Sequence, residues 1–396
     1  MSEAESIIAD ARAERPWRAP VVLQVLPHMG AGGVPRGTLE VARTLDDIGW
    51  TALVAAAVGD GVNDLVKAGI EHVAMPLETK NPLAMRRNAR RLAALIRERG
   101  VDLVHARSRA PAWSAAWAAR ATGRPFVTTF HGTYGHRGWL KRRYNAVMTR
   151  GDRVIAISDH IAAHIEQVYG VGGERVRVIH RGVDPDLFDP AKVSAPRMVR
   201  MANLWRLQEA APVVMMPGRL TRWKGQLVLI EALARLDRPD VRCLIIGDSQ
   251  GRDGYVRELR KLIAKYGLTP NVQLIDHCHD MPAAYMHADV VVSASTDPEA
   301  FGRVIIEAQA MGRPVVASDH GGARETVVPG VTGWLVPPGD AQALADRIGE
   351  ALALSPSVRA AMARAASEHV RARFSTALMC SRTVALYREV LDQAGA

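Results

Sequence analysis

Two successive series of short, wholly apolar segments, each followed by a turn and a helix-length stretch, leave this chain few folds to adopt. In the first series Val21–Leu26 reads as a buried strand that ends at Pro27, and further strands fall near Thr51–Val58, Asp102–His105, Phe126–Phe130 and Arg153–Ile157, with helical stretches such as Leu83–Arg99 between them. A polar, proline-containing stretch around Asp184–Leu204 intervenes. The second series then places strands at Val213–Met216, Arg242–Ile246, Val272–Ile275, Val290–Ser293 and Pro314–Ala317, and helices at Gly225–Leu236, Tyr255–Tyr266 and Glu299–Met311. Alternation of this kind builds parallel sheets, because neighbouring parallel strands need a helical crossover. With 396 residues, the chain also exceeds the roughly 250–300 at which a single core stops growing. Two doubly wound α/β domains follow, at 20–190 and 191–375, with a charged leader at 1–19 and a C-terminal helix at 376–396.

Composition narrows the class. Hydrophobic residues make up 48% and charged residues 23%, which suits a globular protein with sizeable cores. No apolar run reaches the roughly 18 residues of a membrane span, and the first twenty residues alternate acids and bases where a signal peptide would be apolar. A cytoplasmic chain is expected. Cys243, Cys278 and Cys380 are odd in number and far apart, so neither a disulfide framework nor a zinc knuckle is encoded. The net charge of +10 calls for an acidic partner: nucleic acid, an anionic membrane surface or a phosphorylated substrate. Aromatic residues at 5% and the lack of a recognised binding motif count against nucleic acid.

The turn after the first strand carries Gly30, Gly32 and Gly33 and runs into a helix, but the third glycine of a dinucleotide fingerprint is replaced by Pro35. A Rossmann oxidoreductase loses its main support. What remains is a glycine loop feeding a helix N-terminus, which suits a phosphate. The strongest constellation is Pro298–Ala317, where Glu299 and Glu307 stand eight residues apart. On one continuous helix both carboxylates face the same way, at its start and middle. Glu299 would sit beside the amides of Ala300, Phe301 and Gly302. The segment is flanked by apolar residues and a buried strand, unlike a solvated acidic face.

With this spacing the chain resembles the retaining glycosyltransferases of family four, which have the GT-B fold: two Rossmann-like domains facing across a cleft. The resemblance includes Gly218-Arg219-Leu220 with Lys224-Gly225, Gly321-Gly322-Ala323-Arg324-Glu325, Gly333–Pro337, the Gly32-Gly33 loop and His131-Gly132. It implies a nucleotide-sugar donor, a GDP- or UDP-sugar, as co-substrate, with no cofactor and no metal. Arg219 and Lys224 would neutralise the departing diphosphate, and Lys224 is one of only seven lysines among 51 basic residues. The resemblance further implies that Glu307 accepts hydrogen bonds from the ribose, that Glu299 with the Phe301 and Gly302 amides holds the sugar and distal phosphate, and that His131 contacts the sugar near the reacting centre. His277 and Met281 would lie beside the base, and Glu325 near the donor pocket. The C-terminal helix would pack back on the first domain.

His277 and His279, at alternate positions of an extended run, project to one face, but zinc needs further ligands. Asp184-Pro185-Asp186 reads as a turn, and Arg181 stands where the family has Asn. For the acceptor, Arg36, Arg107 and Arg109 are the candidates. The segment His136–Met148, if helical, aligns Trp139, Arg143 and Val147 on one stripe flanked by Arg137, Lys141 and Arg142, a basic amphipathic surface for anionic lipid. The Gly32–Glu40 opening and the Ala106–Pro111 run look most like bacterial enzymes of lipopolysaccharide core synthesis. The expected activity is therefore retaining, metal-independent transfer to a lipopolysaccharide-core or other lipid-linked acceptor, peripherally at the inner face of the inner membrane. A GT-B epimerase or phosphorylase, a catalytically dead sugar-binding homologue and a basic nucleic-acid-binding protein are the alternatives.

Overall fold

A computed structural model describes residues 3–4, 18–30, 32–135, 138–208 and 211–395; most of the leader, with His136 and Arg137, lies outside them. The chain forms two compact units, 1–181 with 376–396, and 182–375.

The first unit is built on β1 (Val21–His28), β2 (Thr51–Ala57), β3 (Glu71–Ala74), β4 (Leu103–Ala106), β5 (Phe126–Phe130), β6 (Arg153–Ala156) and β7 (Val176–Val178). They pair in parallel in the order β3-β2-β1-β4-β5-β6-β7. β1 does not stop at Pro27: it runs on to His28, and its register with β2 shifts between Val25 and His28. That irregularity is where a central strand tolerates a residue lacking an N–H. β3 and β7, short edge strands with few buried side chains, carry too little apolar signal to be seen in the sequence. The helix Thr376–Gln393 packs on the helix Gly33–Asp47 and adds Val384, Tyr387, Val390 and Leu391 to this unit's core.

The second unit contains β8 (Val213–Pro217), β9 (Arg242–Ile246), β10 (Val272–Ile275), β11 (Val290–Ser293), β12 (Val315–Ser318) and β13 (Trp334–Val336), in the parallel order β10-β9-β8-β11-β12-β13. β11 is buried at every position, as a strand covered by helices on both faces must be. The stretch expected to link the domains belongs wholly to this unit. Val183 donates to the Phe374 carbonyl, the Phe188 ring packs on Tyr285, and Ala195–Trp205 is a helix that buries Met201 and Trp205. The first unit therefore ends at Arg181 rather than at 190. In each sheet the strand order reverses once, between β1 and β4 and between β8 and β11, and ligands bind at the carboxyl ends beside such a reversal.

Candidate active site

In the second unit, the loops leaving β8 and β11 meet at the reversal. The β8 loop turns at Gly218 (φ 143°) and Gly225 (φ 80°). A Cβ on Gly225 would strike the Ala294 carbonyl, and one on Gly247 the Gly218 carbonyl. Buried Gln226 anchors the same loop, donating to the Arg219 carbonyl at 3.0 Å while accepting from Tyr255 Oη at 3.0 Å. The Thr296 amide donates to the Trp223 carbonyl at 2.7 Å and ties the two loops together.

This frame presents Lys224 to Glu299. The two side chains form an ion pair in which Lys224 is 13% and Glu299 11% exposed. Ser295 Oγ donates to the same Glu299 oxygen at 2.6 Å, and the ammonium lies 4.7 Å from the Trp223 ring centroid. Arg219 is on the same loop with its side chain exposed.

Glu299 is not on a helix. The helix begins at Arg303, capped by Gly302 at φ 88°, a left-handed conformation that ends the preceding loop. That loop is held from behind by the second glycine motif: the Gly322 amide donates to the Glu299 carbonyl at 2.9 Å, and a Cβ on Gly321 or Gly322 would collide with the backbone of Glu299 or Phe301. Phe301 is buried, its ring edge-on to Phe374. The two carboxylates are thus placed separately, one by a loop and one by a helix, and Ala300 lies in that loop between them. Glu307 Oε2 accepts from Tyr285 Oη at 3.2 Å, and Oε1 lies 3.4 Å from Arg303 Nη2. Burial, with Glu307 adding to it, raises the Tyr285 phenol well above its usual range, so it stays a neutral donor. Neither Ser295 nor Tyr285 carried a sequence signal, because each is defined only by its contact.

Asp280 caps the helix Met281–Met286 and pairs with Arg197 at 2.6 Å, a hydrogen bond that holds its carboxyl below the usual range. Met281 is half-buried there, and His277 is exposed, edge-to-face with His279 at 4.3 Å between centroids.

The first unit's reversal holds a different set. Gly32 (φ 131°) caps the helix Gly33–Asp47, and Arg181 donates to the Gly33 carbonyl while its guanidinium lies against Gly37. His131 leaves β5, its Nε2 enclosed without a hydrogen-bond partner. Burial, then Arg181 and Arg107, push its pKa well down, so the imidazole is neutral. His105 bonds Tyr387 Oη at 2.5 Å and Thr129 Oγ1 at 2.7 Å, and burial lowers its pKa as well.

Of the three acceptor arginines, Arg107 is enclosed and the other two are partly buried. Arg107 is buried, its Nε donating to Gln24 at 2.7 Å. Arg109 bonds Asn145 at 3.1 Å and stacks on Tyr134, and Arg36 pairs with Glu40 at 3.0 Å. The amphipathic stripe is also broken. Among the described residues of this segment only Trp139–Asn145 is α-helical, and a tighter turn over Ala146–Thr149 rotates Val147 into the core. Trp139 and Leu140 remain 70% and 66% exposed, beside exposed Lys141, Arg142 and Arg143.

Two parallel-sheet Rossmann-like units with this strand-end constellation define the GT-B class of fold. Residues 31–187 match the profile of Glycosyltransferase Family 4, and 202–369 that of Glycosyl transferases group 1. A D-inositol 3-phosphate glycosyltransferase of Catenulispora acidiphila is 30% identical over 76% of this chain and 75% of its own length. Other relatives so described are matched over only 50–58% of their length. A glycosyltransferase of Rickettsia africae superposes with a TM-score of 0.88 at 37% identity, covering 95% of this chain and 99% of that one. Anabaena HepE, solved with UDP and glucose, gives 0.82 at 28% identity over 93% and 100%. The chain belongs to the group 1, family 4 glycosyltransferases.

Proposed function

We propose that this chain is a retaining, metal-independent glycosyltransferase that takes a sugar from a UDP- or GDP-sugar and passes it to a lipopolysaccharide-core or other lipid-linked acceptor. The observation that carries the reading is the enclosed Lys224–Glu299 pair at the β8/β11 reversal, with Glu307 on the helix that follows, in a chain of this family. Lys224 supplies a fixed cation where the leaving diphosphate gains charge. Glu299, already oriented by Ser295, accepts sugar hydroxyls, and Glu307 accepts those of the ribose. The anomeric carbon's bond to the diphosphate breaks while its bond to the acceptor oxygen forms on the same face, and the acceptor proton passes to the departing phosphate oxygen. His131, neutral, serves as a hydrogen-bonding partner of the sugar. The HepE complex favours a uracil base.

Exposed Trp139 and Leu140 beside Lys141, Arg142 and Arg143 suit an anionic bilayer, where an apolar tip inserts and cations meet headgroups. This supports a peripheral position at the inner face of the inner membrane, in the cytoplasm. The inositol-phosphate relatives favour a second acceptor class, a phosphorylated polyol.

A thermal-shift panel of nucleoside diphosphates and sugar nucleotides, with and without EDTA, tests the donor reading. A base-selective rise in Tm that survives EDTA and weakens in Glu307→Ala is expected. No shift with any nucleotide in folded protein would remove it. Transfer to isolated lipopolysaccharide core against inositol phosphate separates the acceptor classes.

A further inference from the structure

The two motif carboxylates have a cation midway between them in sequence. Arg303 is four residues after Glu299 and four before Glu307, and is the first residue of the helix Arg303–Ala310. Its side chain is 18% exposed, its Nη2 lies 3.4 Å from Glu307 Oε1, and both Nε and Nη2 are enclosed without a hydrogen-bond partner. An exposed i,i+4 pair would leave those N–H groups to water. Here they are shut away, which is costly for a charged group. A guanidinium only donates, so the missing partners are acceptors.

We infer that Arg303 is a donor-binding residue whose guanidinium takes the phosphate next to the ribose of a nucleoside diphosphate. The inference rests on the donor-site reading above. With the ribose at Glu307 and the sugar-proximal phosphate at Lys224, the phosphate next to the ribose is the one within reach of Arg303, one helical turn before Glu307. Tyr285 holds Oε2 of Glu307 from the interior, so Glu307 keeps its place when Arg303 turns from it to the phosphate. The planar fork matches two phosphate oxygens at once.

The test compares uridine with UMP and UDP, and guanosine with GMP and GDP, by competition NMR that reads millimolar affinities. The proteins are wild type, Arg303→Met, Arg303→Lys and Glu307→Ala, each checked for folding by circular dichroism. Arg303→Met is expected to weaken the monophosphate by about tenfold or more, the scale of a charge-assisted hydrogen bond, with the nucleoside held within about twofold. Arg303→Lys keeps part of the phosphate increment. Parallel losses for nucleoside and monophosphate would show that Arg303 acts only through Glu307, and no loss would show that it does not touch the donor. Either overturns the inference. If Glu307→Ala also leaves every nucleotide's affinity unchanged, it is the donor-site reading that falls.

Discussion

The two units reverse their strand order in the same way yet fill the reversal with different titratable groups. At β8/β11 each motif carboxylate has its own cation, Lys224 for Glu299 and Arg303 for Glu307. At β1/β4 the enclosed groups include Arg107, Arg181, the Glu40 carboxylate that pairs with Arg36, and two histidines whose pKa values are pushed well down by burial and then by the neighbouring cations. The second unit holds its carboxylates by pairing each with a cation, whereas in the first unit imidazoles buried beside guanidinium groups are kept neutral. The same topology thus supports a charge-balanced site and a proton-poor one.

The sharpest way to break the comparison is to unbalance the paired site. Lys224→Ala leaves Glu299 with only Ser295, and is expected to cost about 3 kcal/mol of stability in urea unfolding and to lower nucleoside diphosphate affinity by about a hundredfold. Lys224→Met with Glu299→Leu should recover most of the stability and none of the affinity. If Lys224→Ala binds UDP and GDP as wild type does, the pair is structural only.

Next in size is backbone fit. Gly225→Ala needs a left-handed residue and a Cβ on the Ala294 carbonyl, so a loss of about 3 kcal/mol is expected. The glycine at the other reversal, Gly32, has nothing within 4 Å of its would-be Cβ. Gly32→Ala should cost only the backbone strain, about 1 kcal/mol. Equal losses in calorimetry would erase the distinction between a packed loop and an open one.

Acidification acts on the proton-poor site. His105 and His131 bind protons less readily folded than unfolded, so their contribution to stability is complete above the unfolded pKa of about 6.5 and is lost as pH falls below it, by up to about 1.4 kcal/mol per pH unit for each. Urea unfolding at pH 7.5 and pH 5.5 measures this. His131→Asn should flatten the dependence by its share, and an unchanged slope would mean that His131 is protonated in the folded chain.

The second site was legible in the sequence because its requirements are local. Gly218, Gly225, Gly302 and Gly321 mark positive φ, and their spacing survives as a pattern. What was misread is the path between Glu299 and Glu307. A helical reading of Glu299–Met311 satisfies the apolar periodicity, and only the left-handed Gly302 starts the helix later. The first site was less legible because its residues are defined by burial across the chain: Arg107 reads as a surface cation until Gln24 and Tyr387 close over it. The segment 139–149 failed for a related reason, since periodicity cannot show where an α-helix tightens and turns Val147 inward.

The placement of Thr376–Gln393 in the first unit's core sets an order of events during synthesis. Residues 182–375 are continuous and can fold as soon as they leave the ribosome, whereas the first unit, although begun earlier, lacks Val384, Tyr387, Val390 and Leu391 until residues 384–391 have followed the whole of the second unit. For that interval it carries an uncovered apolar groove, the kind of surface that chaperones hold and that aggregates at high expression. A nonsense codon near residue 375 would spare the second unit and leave the first permanently unfinished.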